Sequence, residues 1–195
     1  LCVTIVILLI MFSCQAKNQT DKLTISSPDK NILVTFTLNQ EKQPTYSVSY
    51  NGEVLIKPSK LGFTFKNDTP LAKNLRIVDY KESTFYDKWQ TVWGIKKEYI
   101  NHYNELIVSL EETNTKAPRK MDIIFRVFND GVGFRYVLPE QNNMDKIEIM
   151  SEFTEFTFTD DHTVWWAEND WNSLEKLYQK TPLSQVTTAN TPLTI

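Results

Sequence analysis

The chain has 195 residues, of which 41% are hydrophobic and 23% charged, an ordinary composition for one globular domain. Aromatic residues make up 12% of the sequence, which argues against intrinsic disorder. The formal net charge of -3 offers no basic surface, so nucleic acid is not expected as a partner. The five tryptophans fit either a sheet core or stacking on sugar rings, and composition does not choose between them.

The first predicted element is an export signal over residues 1–16. An apolar run occupies residues 3–12, which is short compared with the roughly twenty residues of a membrane-spanning helix. Cys14 follows Ser13 at the end of this run, a pattern typical of bacterial lipoprotein signals, and this predicts a lipid on Cys14. The expected location is the bacterial periplasm or a membrane surface, with the lipid as the only membrane contact. An ordinary cleaved signal with an incidental Cys14 is the alternative.

Short segments of alternating polarity follow and predict a domain over residues 22–195. The predicted strands lie at residues 23–27, 32–38, 45–50, 54–56, 61–65, 102–110, 121–128 and 132–138, with one or two more within 147–159. Asn51-Gly52 is a strong signal for a two-residue hairpin. Many short strands without intervening helices favour an all-β, antiparallel β-sandwich. Residues 66–101 show no clear strand pattern, and residues 170–180 show a weak helical one.

Both cysteines, Cys2 and Cys14, precede this domain, so neither a disulfide framework nor a cysteine-based zinc site is expected within it. The sequence contains no glycine-rich phosphate loop, no G-x-S-x-G motif and no H-E-x-x-H motif. His102 and His162 are the only histidines, and structural or solvent-exposed roles are expected for both.

A cluster of carboxylates among tryptophans begins near residue 163. The carboxylates are Glu168, Asp170 and Glu175, and the tryptophans are Trp165, Trp166 and Trp171. Paired carboxylates serve as acid and base in glycosidases, and several together bind hard cations such as calcium. Apolar neighbours would raise the carboxylate pKa values unless a cation reversed the effect. A solvated loop with buried Trp anchors is the alternative. The chain stops at Ile195 in an apolar segment, and we expect more protein to follow.

Several motifs in order resemble the N-terminal domain of glycoside hydrolase family 97. They are LTISSP from Leu23, WG from Trp93, NHYNEL from Asn101, FRVFNDGVGFRY from Phe125, WWA from Trp165, EKLY from Glu175, TPLS from Thr181 and ANTP from Ala189. The similarity extends over residues 23–195.

The resemblance implies a sandwich of the galactose-mutarotase-like supersandwich type, placed before a (β/α)8 catalytic barrel that this chain does not contain. The whole protein would be a calcium-dependent, exo-acting α-glucosidase or α-galactosidase that hydrolyses oligosaccharides. The barrel of such enzymes holds the acid and the base or nucleophile, so no catalytic residue is expected here and the chain alone would be inactive. The N-terminal domain packs on the barrel and supplies one calcium ligand, and motif position gives this role to Glu175.

Glu105 and the segment Asn129-Asp130-Gly131 also allow predictions. Glu105 would either face the barrel or be solvated, the second being the more ordinary role of a charge on a strand. Asn129-Asp130-Gly131 predicts a turn with left-handed residues. The alternative to a glycosidase domain is a stand-alone glycan-binding surface lipoprotein, in which the tryptophans hold sugar without cleaving it.

Overall fold

The computed structural model describes residues 21–144, 146–173, 175–190 and 193–195. The predicted export signal and Cys14 lie outside these residues. The strands are β1 (Lys22–Ser26), β2 (Ile32–Leu38), β3 (Pro44–Tyr50), β4 (Glu53–Lys60), β5 (Phe63–Phe65), β6 (Leu75–Gln90), β7 (Glu98–Glu112), β8 (Lys120–Phe128), β9 (Val132–Val137), β10 (Ile149–Glu152), β11 (Thr157–Phe158), β12 (Thr163–Trp166) and β13 (Gln179–Pro182). A 3-10 turn follows at Leu183–Gln185. No helix within the described residues is long and apolar enough to cross a bilayer.

Two antiparallel sheets form the body of the domain. One has the strand order β1-β2-β3-β4-β11 and the other β6-β7-β8-β9. Two small two-stranded sheets, β5 with β10 and β12 with β13, lie beside them. Buried side chains from both large sheets form one continuous cluster. The prediction of an all-β antiparallel sandwich is therefore confirmed.

The core follows from the alternation of polarity in the central strands. In β2 the buried residues are Ile32, Val34, Phe36 and Leu38, and in β8 they include Met121, Ile123, Phe125 and Val127. Phe36 and Phe125 meet across the two sheets with ring centroids 6.3 Å apart. Each such side chain contributes about 1.5–3 kcal/mol through burial, so these strands fix how the sheets face each other.

Turn chemistry sets the register of the first hairpins. Asn51 and Gly52 have φ angles of 50° and 84°, as a type I′ turn requires, and they connect β3 to β4 as predicted. Asn129-Asp130-Gly131 does form the β8–β9 turn, closed by the Phe128 N–H and the Gly131 carbonyl at 2.8 Å. None of its three residues is left-handed, so that part of the prediction is wrong. Asn129 instead accepts a hydrogen bond from the Asp29 N–H, at 3.0 Å.

Two segments differ from the sequence-based expectation. β6 is the longest strand of the described chain, with 16 residues, where the sequence showed no clear pattern. Of its residues only Leu75 is buried, so no polar–apolar alternation marks it. The weak helical pattern over residues 170–180 is also wrong, because those described residues form a turn, an irregular stretch and the start of β13.

Gly62 is required by both its conformation and its surroundings. Its φ is +139°, and a Cβ there would lie 2.8 Å from the Ala72 Cβ and 2.9 Å from the Leu71 carbonyl oxygen. We expect Gly62→Ala to lower the free energy of unfolding by about 1–3 kcal/mol, as strained backbone and overpacked sites do. Gly133→Ala is the control, because nothing lies within 4 Å of its added Cβ. Denaturant unfolding of both variants checks the prediction, and equal losses would contradict it.

Arg119 forms a buried polar cluster at the end of β7. Its side chain is 4% exposed, and it donates to Glu112 Oε2 at 2.7 Å and Oε1 at 2.5 Å. Its Nη1 also donates to Asp68 Oδ2 at 2.8 Å and to the Thr69 carbonyl at 2.9 Å. The hydrogen-bonded Glu112 carboxylate raises the pKa of Arg119 above its usual value. The cluster joins the loop before β6 to the β7–β8 connection.

Candidate functional site

The predicted carboxylates lie in one loop between two short strands. β12 and β13 pair in antiparallel fashion, with Trp165 opposite Lys180 and Trp166 opposite Gln179. The described residues between them, 167–173 and 175–178, are called the acidic loop. Residues near the end of the chain close its base, since the Ala167 carbonyl accepts from the Asn190 N–H at 2.9 Å. The two strands therefore hold both ends of the loop.

The tryptophans of β12 point in opposite directions. Trp166 is 4% exposed, and its Nε1–H donates to the Thr181 hydroxyl at 3.0 Å, which ties β12 to β13. Trp165 is half-exposed, with the Lys180 ammonium 5.2 Å from its ring centroid. Trp166 thus serves as the buried anchor of the loop, whereas Trp165 belongs to its surface.

Asp170 is held by a cation and not by apolar walls. Its carboxylate accepts from the Asn172 N–H at 2.9 Å and pairs with the Lys176 ammonium at 3.0 Å. The Asn172 hydrogen bond, followed by Lys176, lowers the pKa of Asp170 below its usual value. Trp171 is 98% exposed and provides no apolar wall. The rise in pKa expected from apolar walls without a cation therefore does not apply to Asp170, whose cationic partner is a lysine of the same loop.

Glu175 lies in the same loop with its side chain exposed. Its N–H donates to the Ser173 hydroxyl at 3.2 Å. Its carboxylate makes no hydrogen bond or ion pair within the described part of the chain. Among the described residues there is also no group of three or more metal-binding side chains, so Glu168, Asp170 and Glu175 do not form a metal site on their own. An exposed carboxylate is a suitable hard oxygen ligand for calcium. The Glu175 carboxylate is therefore free of partners within the described residues and of a type that can bind a hard cation.

The acidic loop also carries large apolar side chains that are exposed. Trp171, Leu177 and Tyr178 are 98%, 91% and 62% exposed. Contiguous exposed apolar residues mark interaction sites in soluble proteins. The acidic loop thus combines an available carboxylate with a surface suited to contact with another protein domain.

The two histidines have ordinary surroundings. The His102 ring packs edge-on against Tyr86, with centroids 5.2 Å apart. The His162 Nε2 lies 3.2 Å from the Thr159 hydroxyl. Both arrangements suit the structural roles expected from the sequence.

Glu105 is mostly buried and paired with a residue of the neighbouring strand, so it is not a freely solvated charge. Its carboxylate accepts from Arg126 Nε at 2.7 Å, and its side chain is 16% exposed. Arg126 in turn lies over the Tyr103 ring, 4.6 Å from the centroid. The hydrogen bond to Glu105 raises the pKa of Arg126. The cross-strand partner on β8 occupies this carboxylate, which the sequence of β7 alone does not reveal.

Comparison with known proteins assigns nearly all of the described domain to one family. The family model described as glycosyl-hydrolase 97 N-terminal matches residues 25–195. A retaining α-galactosidase of Bacteroides thetaiotaomicron is 25% identical over 157 residues, which cover 80% of this chain and 22% of that protein. A probable retaining α-galactosidase of Streptomyces bingchenggensis is 26% identical over 125 residues, 62% of this chain and 18% of that protein.

Solved structures agree with these matches. A glycoside hydrolase family 97 enzyme from Pseudoalteromonas sp. strain K8, in complex with acarbose, superposes with a TM-score of 0.82 and 33% identity over 88% of this chain and 26% of that one. A β-arabinopyranosidase superposes with a TM-score of 0.77 and 25% identity over 88% of this chain and 29% of that one. The chain thus spans less than a third of the length of each of these relatives.

Proposed function

Because the chain belongs to the glycosyl-hydrolase 97 N-terminal family, we propose that it is the N-terminal sandwich of a calcium-dependent, exo-acting α-glycosidase. The substrate class is oligosaccharides that end in an α-galactosyl or α-glucosyl residue. Support for galactosides comes from the two curated relatives named α-galactosidases. Support for glucosides comes from the structural relative in complex with acarbose.

The observation that supports this proposal best is the exposure of Glu175, whose carboxylate has no partner within the described residues. Its carboxylate is exposed in the same loop as Trp171, Leu177 and Tyr178, whose side chains are also exposed. An adjoining catalytic barrel would cover the apolar residues and bring Glu175 to a shared calcium site.

The division of labour follows from the residues present. When bound, calcium would supply positive charge beside the substrate pocket and polarise an oxygen. This chain would contribute Glu175 as one ligand and would position it through its own contacts. The Asp170–Lys176 ion pair orders the middle of the loop, and the Trp166–Thr181 hydrogen bond fixes its base. The acid and the base or nucleophile belong to the barrel in this proposal.

We also propose that the protein acts outside the cytoplasm, where it would have access to polymeric glycans. The support is the apolar run at residues 3–12, followed by Ser13-Cys14. A lipid on Cys14 would hold the enzyme at a membrane surface, and cleavage of residues 1–16 without lipid would release it into the periplasm.

The test is to read the gene past Ile195 and to assay the whole protein that it encodes. We expect barrel-like βα repeats in that sequence and hydrolysis of aryl α-galactosides or α-glucosides, abolished by a calcium chelator. The chain of residues 21–195 alone should show no hydrolysis. A gene that ends at Ile195, with a product that binds oligosaccharides without cleaving them, would support a glycan-binding lipoprotein instead.

A further inference from the structure

The β6–β7 hairpin extends well past the sandwich. β7 pairs with β8 only up to Tyr103, whereas β6 and β7 continue to pair as far as Gln90 and Glu98. At about 3.3 Å per residue, the five residues from Tyr103 to Glu98 project about 17 Å beyond the last β8 pair. Residues 85–103 are called the arm. Within the described chain, this part of the four-stranded sheet has only two strands.

The end of the arm presents apolar side chains to solvent. Val92 and Ile95 are fully exposed, and Trp93 is 88% exposed. The turn that carries them is ordered, since the Thr91 N–H donates to the Lys97 carbonyl at 3.1 Å and the Thr91 hydroxyl to the Lys96 carbonyl at 2.7 Å. The three side chains are therefore held outward by the backbone and do not fold back onto the domain.

The shaft of the arm is stiffened by aromatic pairs but stays open on both faces. Trp89 and Tyr99 stack across the strands, with centroids 4.8 Å apart and planes 15° apart. Trp89 remains 50% exposed on one face, and Tyr86 and Ile100 are about 60% exposed on the other. A two-stranded hairpin of this kind is marginally stable by itself. A partner that stabilises the arm would have to contact both of its faces and its tip. Such a partner needs a groove into which the arm fits.

We propose that the arm inserts into a groove of the catalytic domain of the same polypeptide. This inference rests on the proposed function. The chain covers 26% of the family 97 enzyme that it superposes on, so most of such a protein lies outside this domain and is available as a partner. A partner in the same polypeptide is present at an effective concentration of about millimolar, which favours it over separate molecules.

Charge favours this partner over a second copy of the chain. Lys96 and Lys97 follow the apolar tip, whereas Lys88 on the shaft is paired with Glu98 at 2.7 Å. A symmetric tip-to-tip contact would place the lysines of two copies against each other, and like charges repel. The receiving groove is therefore apolar at its base and acidic at its rim.

Photocrosslinking of the longer protein tests the proposal. The variant Trp93→p-benzoylphenylalanine is irradiated, and the linked peptides are identified by mass spectrometry. We expect a link from position 93 to a residue beyond 195 in the same polypeptide, in a product of monomer mass. A substitution at an exposed tip leaves the sandwich core untouched, so the variant should fold.

Met150→p-benzoylphenylalanine is the matched control. Met150 is 64% exposed and lies on β10, whose partner β5 is near the opposite end of β7. We expect at least a tenfold lower yield of links beyond residue 195 from this position. Equal yields from both positions, links only between copies, or links only to lipid would overturn the proposal. The hydrolytic activity of the same preparations is measured as well. An active enzyme without the link would contradict insertion of the arm and leave the proposed function intact.

Discussion

Glu175→Gln in the longer enzyme is expected to weaken calcium binding by at least about tenfold, since loss of even an outer partner of a metal site has effects of this size. Glutamine keeps the shape of the side chain and removes the negative charge that a hard cation prefers. Hydrolysis should fall with calcium occupancy, and excess calcium should restore part of it. Calcium titration followed by calorimetry, together with rates at low and high calcium, measures both effects.

Glu168→Gln is the control for this experiment. Glu168 is another exposed carboxylate of the acidic loop, and its backbone pairs with Ala189 near the end of the chain. The family resemblance assigns calcium binding to Glu175 and not to Glu168, so the Glu168→Gln variant should bind calcium and hydrolyse substrate as the parent does. Unchanged calcium affinity in Glu175→Gln would remove Glu175 from the site. Equal losses in both variants would indicate a general effect of loop charge instead.

Arg119→Ala is expected to destabilise the domain by about 3–5 kcal/mol, the range found when one partner of a buried ion pair is removed. Glu112 is 13% exposed and would lose its bidentate partner, and the Thr69 carbonyl would lose its donor. Lysine cannot replace the planar fork, so Arg119→Lys should recover only part of the loss. Denaturant unfolding of residues 21–195, followed by circular dichroism, gives the free energies.

Arg76→Ala serves as the matched comparison, because Arg76 pairs with Glu111 while half-exposed. Surface pairs of this kind contribute less than about 1 kcal/mol. The two variants remove the same side chain type from neighbouring ion pairs at the same end of the sheet. A loss from Arg119→Ala no larger than that from Arg76→Ala would show that the buried cluster is not important for stability.

The sandwich was predictable where one face of a strand is buried. β2 and β8 alternate between core and surface, and Asn51-Gly52 specifies its turn through left-handed angles that few other residues adopt. β6 was not predictable, because both of its faces are exposed beyond Ile77 and charged and aromatic residues follow each other without a period of two. Its strand conformation depends on pairing with β7.

The contacts within the acidic loop were less predictable than the fold. The resemblance pointed to Glu175, and the structure gives that carboxylate an exposed place in a loop fixed at both ends. The pairing of Asp170 with Lys176, and of Glu105 with Arg126, depends on contacts that no local pattern encodes. Both pairs remove a carboxylate from the set that could bind a metal ion, which leaves Glu175 as the better candidate.

A crystal structure of the longer protein grown with calcium tests the central claim most directly. We predict a calcium ion with a Glu175 carboxylate oxygen at about 2.3–2.6 Å, the usual length of a calcium–oxygen bond. The remaining ligands should come from residues beyond 195. A calcium ion beside the substrate pocket with no ligand from this chain, or an active enzyme that binds no calcium there, would contradict the account.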